Sequence, residues 1–232
     1  MVPGGGTALN RPSPWSIERR AGGAAVLHGF EPPSAAQPTL VLAEIDQAAL
    51  VLGSTQPDRL VDVAAAHAAG LDVVRRRSGG GAVLLVPGDH VWIDVWIPAG
   101  HPAWIDDVAA AAIPIGHAWA DALAAAGIVG TVHRDGASRD AIDRLVCFAG
   151  RGPGEVFDRW SRKLVGVSQR RTRDWIRLQT MLHRHWDPVR TMAGFDLDPD
   201  DRASIEAEIG ERVATVELDG ETAVSGLAAS LG

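Results

Sequence analysis

Three consecutive glycines, Gly79-Gly80-Gly81, stand between two runs of strand length, Leu71–Arg75 and Ala82–Val86. Glycine loses more chain entropy on folding than any other residue. Three together weaken a fold unless the backbone must bend sharply there or be approached closely. Directly before them come Arg75-Arg76-Arg77-Ser78. Exposed N–H groups in such a bend form a concavity for an anion, and arginines add paired donors suited to carboxylate or phosphate. The plainer alternative is a bulge or tight hairpin with a solvated basic edge; the three attached arginines weigh toward the anion site. The segment is not a Walker loop, because no Gly-Lys-Ser/Thr follows. It is not a dinucleotide fingerprint either, because a strand and not a helix comes next.

Around this bend the pattern alternates between short strands and helices. Strands are expected at Thr39–Ala43, Ala49–Gly53, His90–Ile97, Arg162–Gln169 and Trp175–Leu182 from their apolar, β-branched and aromatic content. Leu145–Ala149 reads the same way. Pro57–Ala69 carries apolar residues at helical spacing, and Ala103–Gly127 reads as one long Ala-rich helix kinked at Pro114. Asp187–Ala193 and Asp200–Ile209 are further helix candidates. Hairpin-like pairs outnumber βαβ units, so the expected class is α+β, a mixed and mostly antiparallel sheet flanked by helices. Residues 1–22, rich in Gly, Pro and Ser, are expected to form a loose tail, with 23–232 one domain.

The cations are unevenly chosen. Of 22 basic residues, 21 are arginine and one is lysine, Lys163. Where only positive charge is needed, arginine serves; a site that needs a compact ammonium cannot accept it. Arg159, Arg162, Arg170, Arg171, Arg173 and Arg177 surround Lys163 in the sequence and read either as a positive face for an acidic carrier domain or an anionic substrate, or equally as a solvated face. The net charge of −7 argues against neutralising nucleic acid. The single cysteine, Cys147, cannot form an internal disulfide. No signal peptide is visible, and the apolar stretch from Val108 to Gly130 is broken by Pro114, His117 and Asp121, so no membrane span is expected. A reducing cytoplasm is the expected location. His183-x-His185 lacks a third suitably spaced metal ligand, and no metal site is assigned.

The stretch Arg75 to Val83 resembles the signature loop of the lipoate–protein ligase and octanoyltransferase family. That family shares its catalytic fold with biotin–protein ligases and is distantly like class II aminoacyl-tRNA synthetases. The segment Arg162-Lys163-Leu164-Val165-Gly166-Val167-Ser168-Gln169-Arg170-Arg171 resembles the family's lysine strand, and the only lysine falls on the matching position. Cys147-Phe148 followed by Pro153-Gly154-Glu155 resembles the cysteine-based octanoyltransferase and amidotransferase branch.

The resemblance implies transfer of a lipoyl or octanoyl group to a lysine of a lipoyl carrier domain, in 2-oxoacid dehydrogenases or the glycine cleavage protein. As a ligase, the chain would use ATP and Mg2+ to make acyl-AMP, held by Arg75, Arg76, Arg77, Ser78, Gly79, Gly80, Gly81, Ala82, Gly166 and Ser168, with Lys163 catalytic. As a transferase it would need no cofactor. Cys147 would take the acyl group from acyl carrier protein, its thiol activated by a neighbouring cation such as Lys163. Against that stands the ordinary place of a free cysteine, a small buried hydrophobe. Two stretches depart from the family pattern. Leu84-Leu85-Val86 replaces aromatic-His-Asp, and Thr180-Met181 replaces His-Gly. They raise a third alternative, a module that binds an acyl-adenylate or carrier without turnover.

Overall fold

The computed structural model describes residues 15–32, 37–138 and 140–232. In chain order the strands are β1 Ser16–Gly22, β2 Thr39–Ile45, β3 Ala49–Leu52, β4 Asp72–Arg75, β5 Val83–Leu85, β6 His90–Pro98, β7 Thr131–Val132, β8 Val156–Phe157, β9 Lys163–Arg171 and β10 Trp175–His183. The helices are α1 Ala24–Gly29, α2 Val63–Ala68, α3 Ile113–Ala125, α4 Ala141–Leu145, α5 Pro188–Met192, α6 Pro199–Arg212 and α7 Gly220–Leu231. Seven strands form one sheet in the order β1-β2-β6-β10-β9-β8-β7, and three form a second in the order β4-β3-β5. Only β1/β2 and β3/β4 run parallel; the other pairs are antiparallel, as the pattern of short strands predicts.

Alternation along β6 and β10 divides the large sheet into two faces. Ile93, Val95 and Ile97, with Ile176, Leu178 and Leu182, pack on Ile115, Trp119 and Leu123 of α3 and on Val224 and Leu227 of α7. Each such side chain stabilises the fold by about 1.5–3 kcal/mol when fully buried. The intervening residues Trp92, Asp94 and Trp96 of β6, and Arg177, Gln179 and Met181 of β10, face the opposite way. There the small sheet covers Trp92 and Met181: Val51, Val83 and Leu85 share a cluster with them and with Phe148. The space between the two sheets is where cavities open.

Several expectations are corrected. Residues 16–22, assigned to the loose tail, form β1, because a parallel register with β2 from Ser16↔Thr39 to Gly22↔Ile45 satisfies their backbone groups. Residues 1–14 of that tail lie outside the described residues. The long helix expected from Ala103 to Gly127 is shorter. Ala110–Ala112 is a 3-10 turn, and α3 begins at Ile113 with Pro114 in its first turn, where a missing N–H costs nothing. Leu145–Ala149 is not a strand. Asp140 caps α4 through a reciprocal bond with Asp143, and a 3-10 turn spans Cys147–Ala149. Pro57–Ala69 splits into a 3-10 turn at Asp58–Leu60 and α2.

Candidate active site

The Gly-rich bend is not a hairpin. β4 and β5 flank β3, so residues 76–82 cross over its end. The backbone is pinned by Arg76 N–H to Leu52 O at 2.9 Å and by Ser54 N–H to Ser78 O at 2.9 Å. Beyond the glycines, Ala82 donates to Leu145 O at 2.7 Å and accepts from Cys147 N–H at 2.8 Å. The bend and the Cys147 turn are thereby one unit. The glycines are needed for that contact. A Cβ on Gly81 would stand 2.7 Å from Cys147 N, and Gly80, at φ +99°, lies against both Arg76 and Cys147 Sγ. Gly79 meets nothing within 4 Å.

Arg76 is 5% exposed. It donates to Gly79 O at 2.7 Å and Gly81 O at 3.0 Å, and its Nη2 lies 3.5 Å from Cys147 Sγ. On the other side of Cys147, Lys163 is 1% exposed and donates to Cys147 O at 2.9 Å and to Glu155 Oε1 at 2.8 Å. Glu155 is itself buried, accepting at Oε2 from Gly152 N–H at 2.7 Å and at Oε1 from Val167 N–H at 3.3 Å. Burial pushes the Glu155 carboxyl above its usual range, and the Lys163 ammonium opposes that rise. Lys163 and Glu155 thus form an enclosed ion pair on the backbone of the cysteine turn.

Two cavities meet at Cys147. One is narrow and mostly apolar, lined by Val83, Leu85, Trp92, Phe148, Gly166 and Met181, with His28, Arg76, Ser168, Gln179 and Thr180 among its polar groups. The other is a wider, open cleft between Gly79–Gly81, Lys163, Glu155, Ser168, Gln169 and Arg151. Cys147 lines both, where the narrow apolar cavity adjoins the open cleft. Behind the narrow cavity, Ser78 Oγ–H donates to Gln179 Oε1 at 2.9 Å and lies 3.2 Å from Ser168 Oγ. Asp94 and Arg177, both buried, pair at 2.5 Å; Arg177 also donates to Leu27 O and His28 O at 2.8 Å each, fixing α1 over the cavity.

The lipoyl protein ligase A/B catalytic domain matches residues 30–216. The chain belongs to this family. Among solved structures it is similar to lipoate-protein ligase A bound with ATP, with TM-score 0.65 and 17% identity over 95% of this chain and 84% of that one. A bi-partite lipoate protein ligase of Thermoplasma acidophilum, described with its E2 lipoyl domain, gives TM-score 0.64 and 17% identity over 92% and 82%. P. falciparum LipL1 in complex with lipoate gives 0.60 and 12% over 93% and 60%. At these identities the likeness is one of fold. No curated protein matches. Family membership makes the chain an enzyme of the ligase and transferase kind, on a sheet-and-helix architecture shared with lipoate–protein ligases.

Within this family fold, the residues singled out from sequence divide. Cys147, Gly79, Gly80, Gly81, Lys163 and Ser168 line the open cleft, and Arg76, Gly166, Ser168 and Cys147 line the narrow one. The glycine bend and the lone lysine therefore do face one cleft. Arg75 turns away, donating to Gly53 O at 2.6 Å and pairing with Asp58; Arg77 pairs with Glu31 at the surface. Ser78 is buried in the Gln179 network and Ala82 in the Cys147 bridge, so neither lines a cavity. The cation at the thiol is Arg76, not Lys163, whose amine is engaged on Cys147 O and Glu155. The expected positive face is also broken up. Lys163 and Arg177 are internal, Arg162 pairs with Asp158, Arg170 with Glu31, and Arg171 bonds to Ile105 O and Asp106 O. Sequence reasoning missed His28 and gave Glu155 and Gln179 no role. Glu155 had a signal, its place ahead of the only lysine; a His in a short helix had none.

Among the described residues no helix is long and apolar enough to cross a membrane.

Proposed function

We propose that this chain transfers a lipoyl or octanoyl group to the ε-amine of a lysine on a lipoyl carrier domain, and that the group passes through a thioester on Cys147. One observation carries the reading: the thiol stands where the apolar cavity meets the open cleft, with Arg76 at its sulfur. The glycine bend is folded against the cysteine turn, which supports a loop that holds the nucleophile. The Cys147 thiolate attacks the carbonyl of an acyl-thioester on acyl carrier protein; the carrier's thiolate leaves and takes up the proton that Cys147 had given up to solvent. The neutral lysine amine of the lipoyl domain then attacks the acyl-cysteine carbonyl, the C–S bond breaks, and the proton lost from the amine passes to the departing Cys147 sulfur or to solvent, leaving the amide. Arg76 at the sulfur and the Lys163 ammonium on the backbone of the same turn are the cations that would offset the charge that develops on the carbonyl oxygen. A reducing cytoplasm would keep the thiol free.

A second reading, ligation through acyl-AMP, is favoured by the volume of the cleft and by the likeness of fold to an ATP-bound ligase. When bound, ATP with Mg2+ would activate the carboxylate as a mixed anhydride. Lys163, Arg151 and the Gly79–Gly81 backbone are the groups that would face its phosphates. The fit is partial, because Glu155 already balances Lys163 and Arg76 is engaged with the loop's own carbonyls.

Acylation of a purified lipoyl domain, followed by intact-mass spectrometry, tests both. The thioester route predicts modification from octanoyl carrier protein without ATP, a mass adduct on the enzyme, and a loss of at least about a thousandfold in Cys147→Ser. Modification only from free acid plus ATP, with Cys147→Ser active, would replace it with the ligase route. Absence of turnover from either donor would leave a binding module.

A further inference from the structure

The narrow cavity contains a hydrogen-bond donor that its own walls do not satisfy. His28, on α1, is 7% exposed and stacks on Trp92 with ring centroids 4.6 Å apart. Its Nδ1 lies 3.0 Å from Gln179 Nε2. The amide of Gln179 is fixed on both ends. Its oxygen accepts from Ser78 Oγ–H, and its nitrogen is within reach of the Asp94 carboxylate, which can only accept. Gln179 therefore donates to His28, and Nδ1 is the acceptor. Burial, helped by Arg76 and Arg177, holds the ring neutral, with its pKa lowered to about 3. A neutral imidazole that accepts at one nitrogen carries its proton on the other. That other nitrogen, Nε2, is shielded from solvent and without a partner among the described residues.

Buried donors are nearly always paired; the partner for this one must come from what enters the cavity. Around it the lining is apolar, formed by Trp92, Leu85, Val83 and Met181. At the reacting end, Arg76 already stands at Cys147 Sγ. His28 is thus left to address the chain and not the carbonyl. On the acyl-transfer reading above, we infer that the Nε2–H of His28 is a specificity site, favouring medium-chain acyl groups with a hydrogen-bond acceptor on the chain over a plain saturated chain. A bare methylene chain in this cavity leaves the donor unpaired, whereas a hydroxyl, a keto oxygen or, more weakly, a dithiolane sulfur completes it. Sites built around a polar partner discriminate against analogues that lack it far more than against those missing a methylene.

The test is calorimetric binding of free acids to the full chain: octanoic acid, lipoic acid, and octanoic acids hydroxylated at successive carbons. At least one hydroxy acid is expected to bind about tenfold tighter than octanoic acid, with lipoic acid between them, a tenfold ratio being about 1.4 kcal/mol. His28→Phe erases the preference, and His28→Gln, which keeps an amide donor, retains part of it. On the wild-type protein, the histidine Nε2–H resonance of nitrogen-labelled protein shifts with the preferred acid and not with octanoic acid, a readout that needs no variant to fold. Tightest binding of octanoic acid, an unchanged ratio in a folded His28→Phe, or a resonance that does not respond overturns the inference. Failure of every acid to bind overturns it together with the acyl-pocket assignment. The expected order of binding without transfer to a lipoyl domain upholds the His28 site while refuting the transfer reading.

Discussion

Replacing Glu155 with glutamine should destabilise the chain far more than an isosteric change usually does. Glu155 uses both oxygens as acceptors, Oε1 for Lys163 Nζ and Val167 N–H, and Oε2 for Gly152 N–H. An amide has one oxygen and one NH2. Turned one way, it sets its NH2 against the Lys163 ammonium; turned the other, against Gly152 N–H. Either rotamer places donor against donor in a pair whose side chains are 1% and 4% exposed. Removing one partner of a buried ion pair costs about 3–5 kcal/mol, because the remaining charge is uncompensated. For a chain of 232 residues each kcal/mol corresponds to roughly 2–4 °C, so the melting midpoint should fall by roughly 6–20 °C. Glu155→Asp keeps the charge and should lose less. The double variant Glu155→Leu/Lys163→Met removes both charges and should recover most of the stability, since apolar replacement of a buried pair is often neutral or better. Urea unfolding followed by tryptophan fluorescence measures all of these; buried Trp119 among the eight indoles makes the signal sensitive to the core. A Glu155→Gln cost under about 1 kcal/mol, the range of an exposed pair, would refute the enclosed pair, as would a double variant no more stable than the single one.

Other outcomes follow from the same contacts. Gly81→Ala drives a Cβ to 2.7 Å from Cys147 N and should cost about 1–3 kcal/mol or more, whereas Gly79→Ala, with open space around it, should stay within about 0.5 kcal/mol in the same urea assay. Arg76→Lys should lower kcat/KM for acyl transfer by about tenfold or more, because the shorter, flexible lysine does not hold its nitrogen where the guanidinium plane fixes Nη2 against Gly79 O, Gly81 O and the sulfur, while Arg75→Ala and Arg77→Ala should change it only a few-fold. Stability should fall with acid. His28 and His183 are held neutral with pKa near 3 and His90 near 4, against 6.5 in the unfolded chain, all chiefly by burial. Above about pH 6.5 neither state binds these protons. Below it the unfolded chain takes them up and the folded one does not, a loss of up to about 2 kcal/mol per histidine by about pH 5. A urea midpoint that is flat between about pH 7.5 and 5, or unflattened by His183→Phe, would contradict this.

What could be read in advance follows the range of the forces involved. Strands such as β6 and β10 declare themselves locally, because one face packs on α3 and α7 and the alternation survives in the sequence. The Gly bend and Lys163 were legible for a different reason: each shows a residue choice that is costly or odd on its own terms, three flexible residues in a row and one ammonium among arginines. Strand β1 was not legible, since its only partner is the equally short β2 and its residues alternate weakly. The turn at Cys147 was misread as a strand because Leu145-Val146-Cys147-Phe148 is apolar at every position. It is apolar because Val146 and Phe148 are buried beneath the bend, a tertiary reason that no local period reveals.

The three arginines mark the same boundary more finely. Their sequence says that cations gather beside a sharp bend, but not which of them faces inward. Backbone geometry decides that. Arg75 is the last residue of β4 and points to Gly53 and Asp58, Arg77 reaches Glu31 across the surface, and only Arg76, between them, is directed under the glycines. One guanidinium, not three, therefore serves the thiol. It does so with its charge spread over the bend's own carbonyls, an arrangement suited to steadying a sulfur and a developing oxyanion more than to gripping a polyphosphate. The replaced His-Asp and His-Gly positions point the same way. Leu85 and Met181, standing in those stretches, line the narrow cavity, so substitutions that read as losses in the sequence supply its apolar wall, the surface that the proposed acyl chain would need.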